Sequence, residues 1–198
     1  MSRVKPIPPR EWPPDMSKAL AAAYRPSKPR HPVSPLDPSS PKGLNLMGTL
    51  AIHPDVTTAY NHLISHALYF TTITPRQREL LILRVAHLRD AAYEWAQHVY
   101  QASVVGISPE ELARIRTGAA ADGWLPIERA LLEAADELVA GAGIGDATYA
   151  ELSKELDTQQ VMDVVFTVGV YDVLAMVLRT FEVELDDDLR DYAGPGPA

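Results

Sequence analysis

Eleven of the 17 prolines lie between Pro6 and Pro41, and that placement divides the chain before any other pattern is read. Proline lacks a backbone N–H and its ring clashes with the preceding turn. A stretch such as RPSKPRHPVSPLDPSSPKG therefore cannot form long helices or inner strands. Residues 1–43 are expected to form an arm, either a flexible tail or an extended strap laid over its own domain or a neighbouring subunit. SKALAAAY, residues 17–24, leaves room in it for a short helix. Pro54, Pro75, Pro109 and Pro126 differ in kind, for each stands where a helix begins, the helical position that tolerates proline.

From residue 44 onward the chain reads as helices with legible ends. In 54–70, Val56, Ala59, Tyr60, Leu63, Ile64, Ala67 and Leu68 recur at three- and four-residue spacing and form one apolar stripe. Thr74, Pro75 and Gln77 make a capping box that opens RQRELLILRVAHL, a segment apolar nearly all round and hence central. Asp90 is the expected cap of AAYEWAQHVYQASVV, which Gly106 ends. Ser108, Pro109 and Glu111 repeat the start signature for a helix ending near Gly118. Pro126 opens IERALLEAADELVAG, Asp146 caps ATYAELSKEL, and Thr158 caps the apolar segment running to Phe181. The fold class is all-α, a multi-helix bundle over 44–187 with the arm before it and a tail, 188–198, after it. The 75–88 and 158–181 segments carry more apolar surface than one small domain covers, which predicts a homo-oligomer.

A chain of 198 residues suits one domain with a full core, and 46% hydrophobic with 22% charged residues is ordinary for a globular protein. The net charge of −8, with no run among the 18 basic residues, argues against a nucleic-acid surface and an anionic membrane surface. The first residues are basic but proline-broken, and no later apolar run is read as a membrane span of about 20 residues. A cytoplasmic, soluble protein is the expectation. Cysteine is absent, which removes disulfides, thiolate metal sites and every thiol nucleophile.

Three residues stand out as candidates for chemistry. Glu79 shares a helix face with Ile82, Leu83 and Ala86, so its carboxylate is either paired, with Arg76, Arg78 or Arg84, or driven toward its neutral form. Glu94 and His98 lie one turn apart at the edge of the apolar stripe. They are either a surface ion pair or an acid and base facing a substrate. His62 and His66 have the spacing of metal ligands but fall off their helix's apolar stripe, so a solvated face is expected and no metal. His53 and His87 are read as local to helix ends. GAGIG at 141–145 is an inter-helix linker, not a phosphate loop, and no G-x-S-x-G motif occurs.

RQRELLILRVAHLRDAAYEWAQHVYQASVVGISPEELARI, with RALLEAADEL and VMDVVFTVGVYDVLAMVL, resembles the carboxymuconolactone decarboxylase family, whose relatives include the alkylhydroperoxidase D-like proteins. The likeness runs over roughly residues 45–185. The peroxidase branch carries C-x-x-C-x-x-x-H with a glutamate on the preceding helix. With His98 on the motif's histidine, Ala91 and Glu94 take the places of the two cysteines, and Glu79 that of the relay glutamate. Thiol peroxidase activity is therefore not expected.

The decarboxylase branch has E-W-x-x-H, as here. The resemblance implies a cofactor-free lyase that assembles as a dimer, trimer or hexamer and removes carbon dioxide from a carboxylated unsaturated lactone or similar small acid. It assigns catalytic roles to His98 as acid, Glu94 as its orienting partner or a base, and Glu79 as a buried proton shuttle. Arg84 and Arg89 are candidates to hold a substrate carboxylate, and Tyr93 and Trp95 to line the substrate site, with Tyr100 a third bulky aromatic nearby. A cofactor-free isomerase or dehydratase would use the same residues, and a non-catalytic oligomeric member is the other alternative.

Overall fold

The computed structural model describes residues 3–21, 30–31 and 41–193, all helix, turn and loop. Nine α-helices occur among these residues: α1 (Pro14–Ala21), α2 (Leu44–Leu50), α3 (Pro54–Ser65), α4 (Pro75–Leu88), α5 (Ala92–Val104), α6 (Pro109–Thr117), α7 (Pro126–Gly141), α8 (Asp146–Leu152) and α9 (Thr158–Thr180). A π-helical turn, His66–Phe70, continues α3.

Helix α4 is the axle of the bundle, with every side chain from Arg78 to Ala86 buried. Its two apolar sides serve two cores. Leu81, Ile82 and Val85 pack with Tyr93 of α5, Leu131 of α7 and Val164, Val168 and Tyr171 of α9. Leu80, Leu83 and Ala86 face Trp95, Ala102, Ile115, Trp124 and Leu132. The capping boxes at Thr74 and Ser108 form as their sequence signatures predict.

Several helix starts differ from the sequence reading. Asp90 does not cap α5: it takes a left-handed conformation, φ 52, in the tight α4–α5 connection, and Ala91 is the N-cap without a side-chain bond. Asp157, not Thr158, caps α9, exchanging bonds of 2.9 Å with Gln160. Gly145 precedes α8, with Asp146 as its first residue. In α3 the buried residues are Thr57, Asn61 and Ser65, while Val56 and Leu63 of the expected stripe are exposed. Tyr60, Ile64, Ala67 and Leu68 of the stripe do pack against the core, and the covered side also takes in the polar Thr57, Asn61 and Ser65.

Helix α9 also corrects the reading of apolar runs. Its 23 residues are long and apolar enough to cross a membrane by length and composition, with an 18-residue stretch of mean hydropathy 2.0. More than half of that stretch is buried in the fold, because Val164, Val168, Tyr171, Leu174 and Leu178 supply one wall of the core.

The described part of the arm lies on the bundle. Ile7 N–H donates to Gly48 O at 3.1 Å, Trp12 Nε1 donates back to Ile7 O at 2.7 Å, and Met16 is fully buried with Ala51. A Cβ at Gly48 would lie 2.6 Å from Ile7 O, so only glycine lets the strap cross α2. The expected helix at 17–24 starts earlier, as α1 from Pro14, and its last expected residues lie outside those described. At the other end, Leu189 is fully buried, so the bundle extends past residue 187 into the expected tail. Met16→Ala is expected to lower stability by about 2–5 kcal/mol. Chemical denaturation checks this, and an unchanged midpoint would mean the strap adds nothing to the cooperative fold.

Candidate active site

Glu79 is fully buried on α4 and accepts hydrogen bonds from two sides. Its Oε2 meets His98 Nδ1 of α5 at 2.7 Å, and its Oε1 accepts from Arg78 Nε at 2.9 Å and Nη2 at 2.8 Å. Arg78 Nη1 donates to Leu68 O at 2.5 Å, inside the π-helical turn, where the altered ladder frees a carbonyl. Burial by itself would push the Glu79 carboxyl up. The His98 ring and the Arg78 guanidinium outweigh it and hold the group below its ordinary value.

The two open readings of Glu79 thus combine, because the same carboxylate is paired with an arginine and anchors the histidine. His98 is only 6% exposed, and the ring of Tyr171 meets it edge-on with centroids 4.9 Å apart. Sequence reasoning put His98 and Glu94 at the edge of the core. Both are inside it: Tyr171 of α9 packs on His98, and Tyr60 of α3 lies within electrostatic reach of Glu94.

Glu94 does not orient His98, whose bonded carboxylate is Glu79. Glu94 is 1% exposed and neither carboxyl oxygen has a hydrogen-bond partner among the described residues. Burial pushes its carboxyl well up, and the charge of Asp172 adds to the shift. Its place in the first turn of α5 favours the anion by only about 0.3–1 kcal/mol. Leaving a carboxylate buried and unpaired costs more than that, so the surroundings push Glu94 toward its neutral form. Tyr60 of α3 has an equally unpartnered hydroxyl, and burial and Glu94 raise its phenol. Sequence reasoning missed Tyr60, Tyr171 and Thr167 as site residues. All three sit at helical spacing in apolar stripes, where an aromatic or a threonine reads as packing.

The arginines proposed for a substrate carboxylate are occupied. Arg84 Nε and Nη2 donate to Asp136 at 2.5 and 3.0 Å, and Nη1 donates to the carbonyls of Ile115 and Arg116. Gly118, at φ +88, leaves the room this guanidinium fills, since a Cβ there would lie 2.5 Å from Nη2. Arg89 is held by Asp172 and donates to Val139 O at 3.1 Å. Both guanidiniums knit helices together and neither belongs to the Glu79–His98 cluster.

The two aromatics are also structural. Tyr93 donates its hydroxyl to Asp186 at 2.5 Å, and Trp95 packs in the second core under Arg116, whose Cζ is 4.3 Å from the ring centroid. Side chains one or two positions from Glu94 on a helix leave in other directions. His66 is bound at Nε2 by Asp163 at 2.7 Å, and Thr72 donates to the other Asp163 oxygen. This cluster ties the π turn to α9.

The all-α bundle that brings this Glu–His pair together from consecutive helices has the fold of solved alkylhydroperoxidase D-like structures. Residues 54–137 match the model of the carboxymuconolactone decarboxylase family, and the chain carries no cysteine. None of the curated proteins matches it in sequence.

Among solved structures, the debrominase Bmp8 superposes with a TM-score of 0.73 at 12% identity, covering 96% of this chain and 95% of that one. A cysteine-to-alanine variant of Bmp8 in complex with 2,3,4-tribromopyrrole gives 0.72. The AhpD core protein of Ralstonia eutropha gives 0.67 at 16% identity, covering 86% of this chain and 99% of that one. These likenesses establish the fold.

The Glu79 shift has a definite sign. Its folded value lies below the unfolded 4.5, so its contribution is present above about pH 4.5 and lost as pH falls through the folded value. Glu79→Gln should therefore cost about 3–5 kcal/mol at pH 7, with the gap to the parent closing in acid. Thermal unfolding from pH 3 to 7 reads this directly, and a pH-independent gap would contradict it.

Proposed function

We propose that the protein is a cofactor-free general acid/base enzyme, a decarboxylase of a carboxylated unsaturated lactone or similar small organic acid. The buried Glu79–His98 pair, backed by Arg78, carries this reading. A γ-carboxy unsaturated lactone loses carbon dioxide without a metal or prosthetic group. The electrons of the breaking carbon–carbon bond enter the conjugated carbonyl as a dienolate, which then needs a proton on carbon.

His98 is suited to supply it. With Nδ1–H held by Glu79, the tautomer is set and Nε2 is the nitrogen that exchanges a proton with the substrate. Glu79 stays anionic and stabilises the imidazolium before transfer. Glu94, one turn away, replaces the thiol of the peroxidase branch with an oxygen acid. Thiol chemistry of any kind has no residue to support it in this chain.

One observation favours the second reading, a non-catalytic member of the family: Glu79 is tied to Arg78 as a structural ion pair would be. Against it stand the two carboxyl oxygens of Glu94, buried one turn from His98 without a hydrogen-bond partner among the described residues, which a purely structural cluster would not leave unsatisfied. A screen of γ-carboxylated butenolides and β-keto acids for carbon dioxide release separates the two. His98→Ala should lower turnover by about 10²–10⁴. Full activity in that variant would remove His98 from the chemistry, and a folded parent inert towards the whole panel would favour the scaffold.

The protein is further proposed to work as a homo-oligomer. Met162, Val165, Phe166, Val173 and Met176 stand 40–54% exposed along one side of α9, an apolar face that a lone subunit leaves in water. A second copy of the same chain is the proposed cover. Phe166→Glu should shift the mass by light scattering toward the monomer, and a parent already monomeric at micromolar concentration would overturn this.

A further inference from the structure

Six buried side-chain oxygen atoms among the described residues have no hydrogen-bond partner, and they are not scattered. Two belong to Glu94, and Gln97 Oε1 lies on the next turn of the same helix. Tyr60 OH, on α3, lies within electrostatic reach of Glu94 and of Tyr171. Thr167 Oγ1 is one turn before Tyr171 on α9, and Tyr171 abuts His98. Four of the six thus come from three helices that meet near the His98–Glu79 pair, whereas Gln97 Oε1 faces Gly43 beside the Tyr93 hydroxyl. Buried polar atoms are almost always bonded, and a group of orphans converging on one place marks where something else is bound.

We propose that Glu94, Tyr60 and Thr167 form a subsite for an uncharged carbonyl oxygen, that of a lactone, ester or enone, held by hydrogen bonds donated from the Glu94 carboxyl and the Tyr60 hydroxyl. The charges around it choose the ligand. Arg78 is neutralised by Glu79 and Arg89 by Asp172, so an anionic group entering here finds no free cation and meets an acid already disfavoured by the neighbouring Asp172. An uncharged oxygen needs donors alone, and a protonated carboxyl and a phenol are the strongest neutral donors a protein has.

The burial that raises the Glu94 carboxyl keeps its proton in place for this role. Two donors on the carbonyl oxygen would also receive the negative charge as a dienolate forms, which is how such a subsite adds to a reaction. The identity of the carbonyl compound rests on the proposed lactone chemistry. The protonated state of Glu94 does not.

Infrared difference spectroscopy on the full chain at pH 7, in the absence of substrate, tests the first part. A carbonyl stretch of a protonated carboxylic acid should be present in the parent and missing from Glu94→Gln. Its absence from the parent would overturn the subsite.

Calorimetric titration with 2(5H)-furanone, an uncharged unsaturated lactone, tests the second part. Glu94→Gln, which keeps a donor and the shape, should bind it within about threefold of the parent, and Tyr60→Phe and Glu94→Leu should each bind about tenfold more weakly. Circular dichroism confirms that each variant is folded. Furanone binding should also shift the Glu94 band.

No furanone binding by the parent would overturn the carbonyl assignment. So would binding of benzylamine in preference to furanone, lost in Glu94→Gln, since a cation would then be the ligand and Glu94 its counter-ion. If furanone binds and shifts the band while no carboxylated lactone is decarboxylated, the subsite stands and the proposed reaction falls.

Discussion

Burying the Glu79 carboxylate on the axle helix of an apolar bundle imposes demands that much of the surrounding structure meets. A charge with no access to water must be answered on both oxygens, and here one is answered by Arg78 and the other by His98. Arg78 is itself buried, so its remaining donor must find an acceptor, and the π-helical turn after α3 offers the Leu68 carbonyl. The turn is in turn fastened to α9 by His66, Thr72 and Asp163. One ion on α4 thereby sets the relative positions of α5, the π turn and α9, the elements that close over the site. Were Glu79 apolar, the bundle could still pack, but nothing would dictate the tautomer of His98.

The two carboxylates of the site illustrate how position decides chemistry. Glu79 has two cationic or protonatable neighbours and remains charged. Glu94, one residue from the second core and near Tyr60, has none and is pushed toward its neutral form. Neither helix periodicity nor residue type distinguishes them. The difference comes from what other helices bring to each oxygen, and pushing two acids apart in this way assigns them different tasks.

Local chemistry was legible in the residues and distant packing was not. The capping boxes at Thr74 and Ser108 and the prolines at helix starts are written within four residues of each other, and those boundaries hold. The Asp90 reading failed because a three-residue connection demanded a left-handed residue where a cap would otherwise sit. Glu79 and His98 were readable as candidates because an acid on a wholly apolar helix is conspicuous. Arg84 and Arg89 misled for a physical reason: a guanidinium that could clamp a substrate carboxylate can equally clamp Asp136 or Asp172, 52 and 83 residues away, and only the fold says which. Tyr60 and Thr167 stayed hidden because a hydroxyl without a partner is invisible until its surroundings are known.

The strap has a consequence for the order of events during synthesis. Arg3 N–H donates to Phe181 O at 2.9 Å, and the Arg3 side chain pairs with Glu182 across 179 positions of sequence. Residues near the start of the chain leave the ribosome long before their partners exist. Until α9 has been translated to its end, Arg3 has nothing to bind there. This segment is accordingly completed late, because the Arg3 contacts wait for Phe181 and Glu182 while Met16 can already seat against Ala51 and Met47.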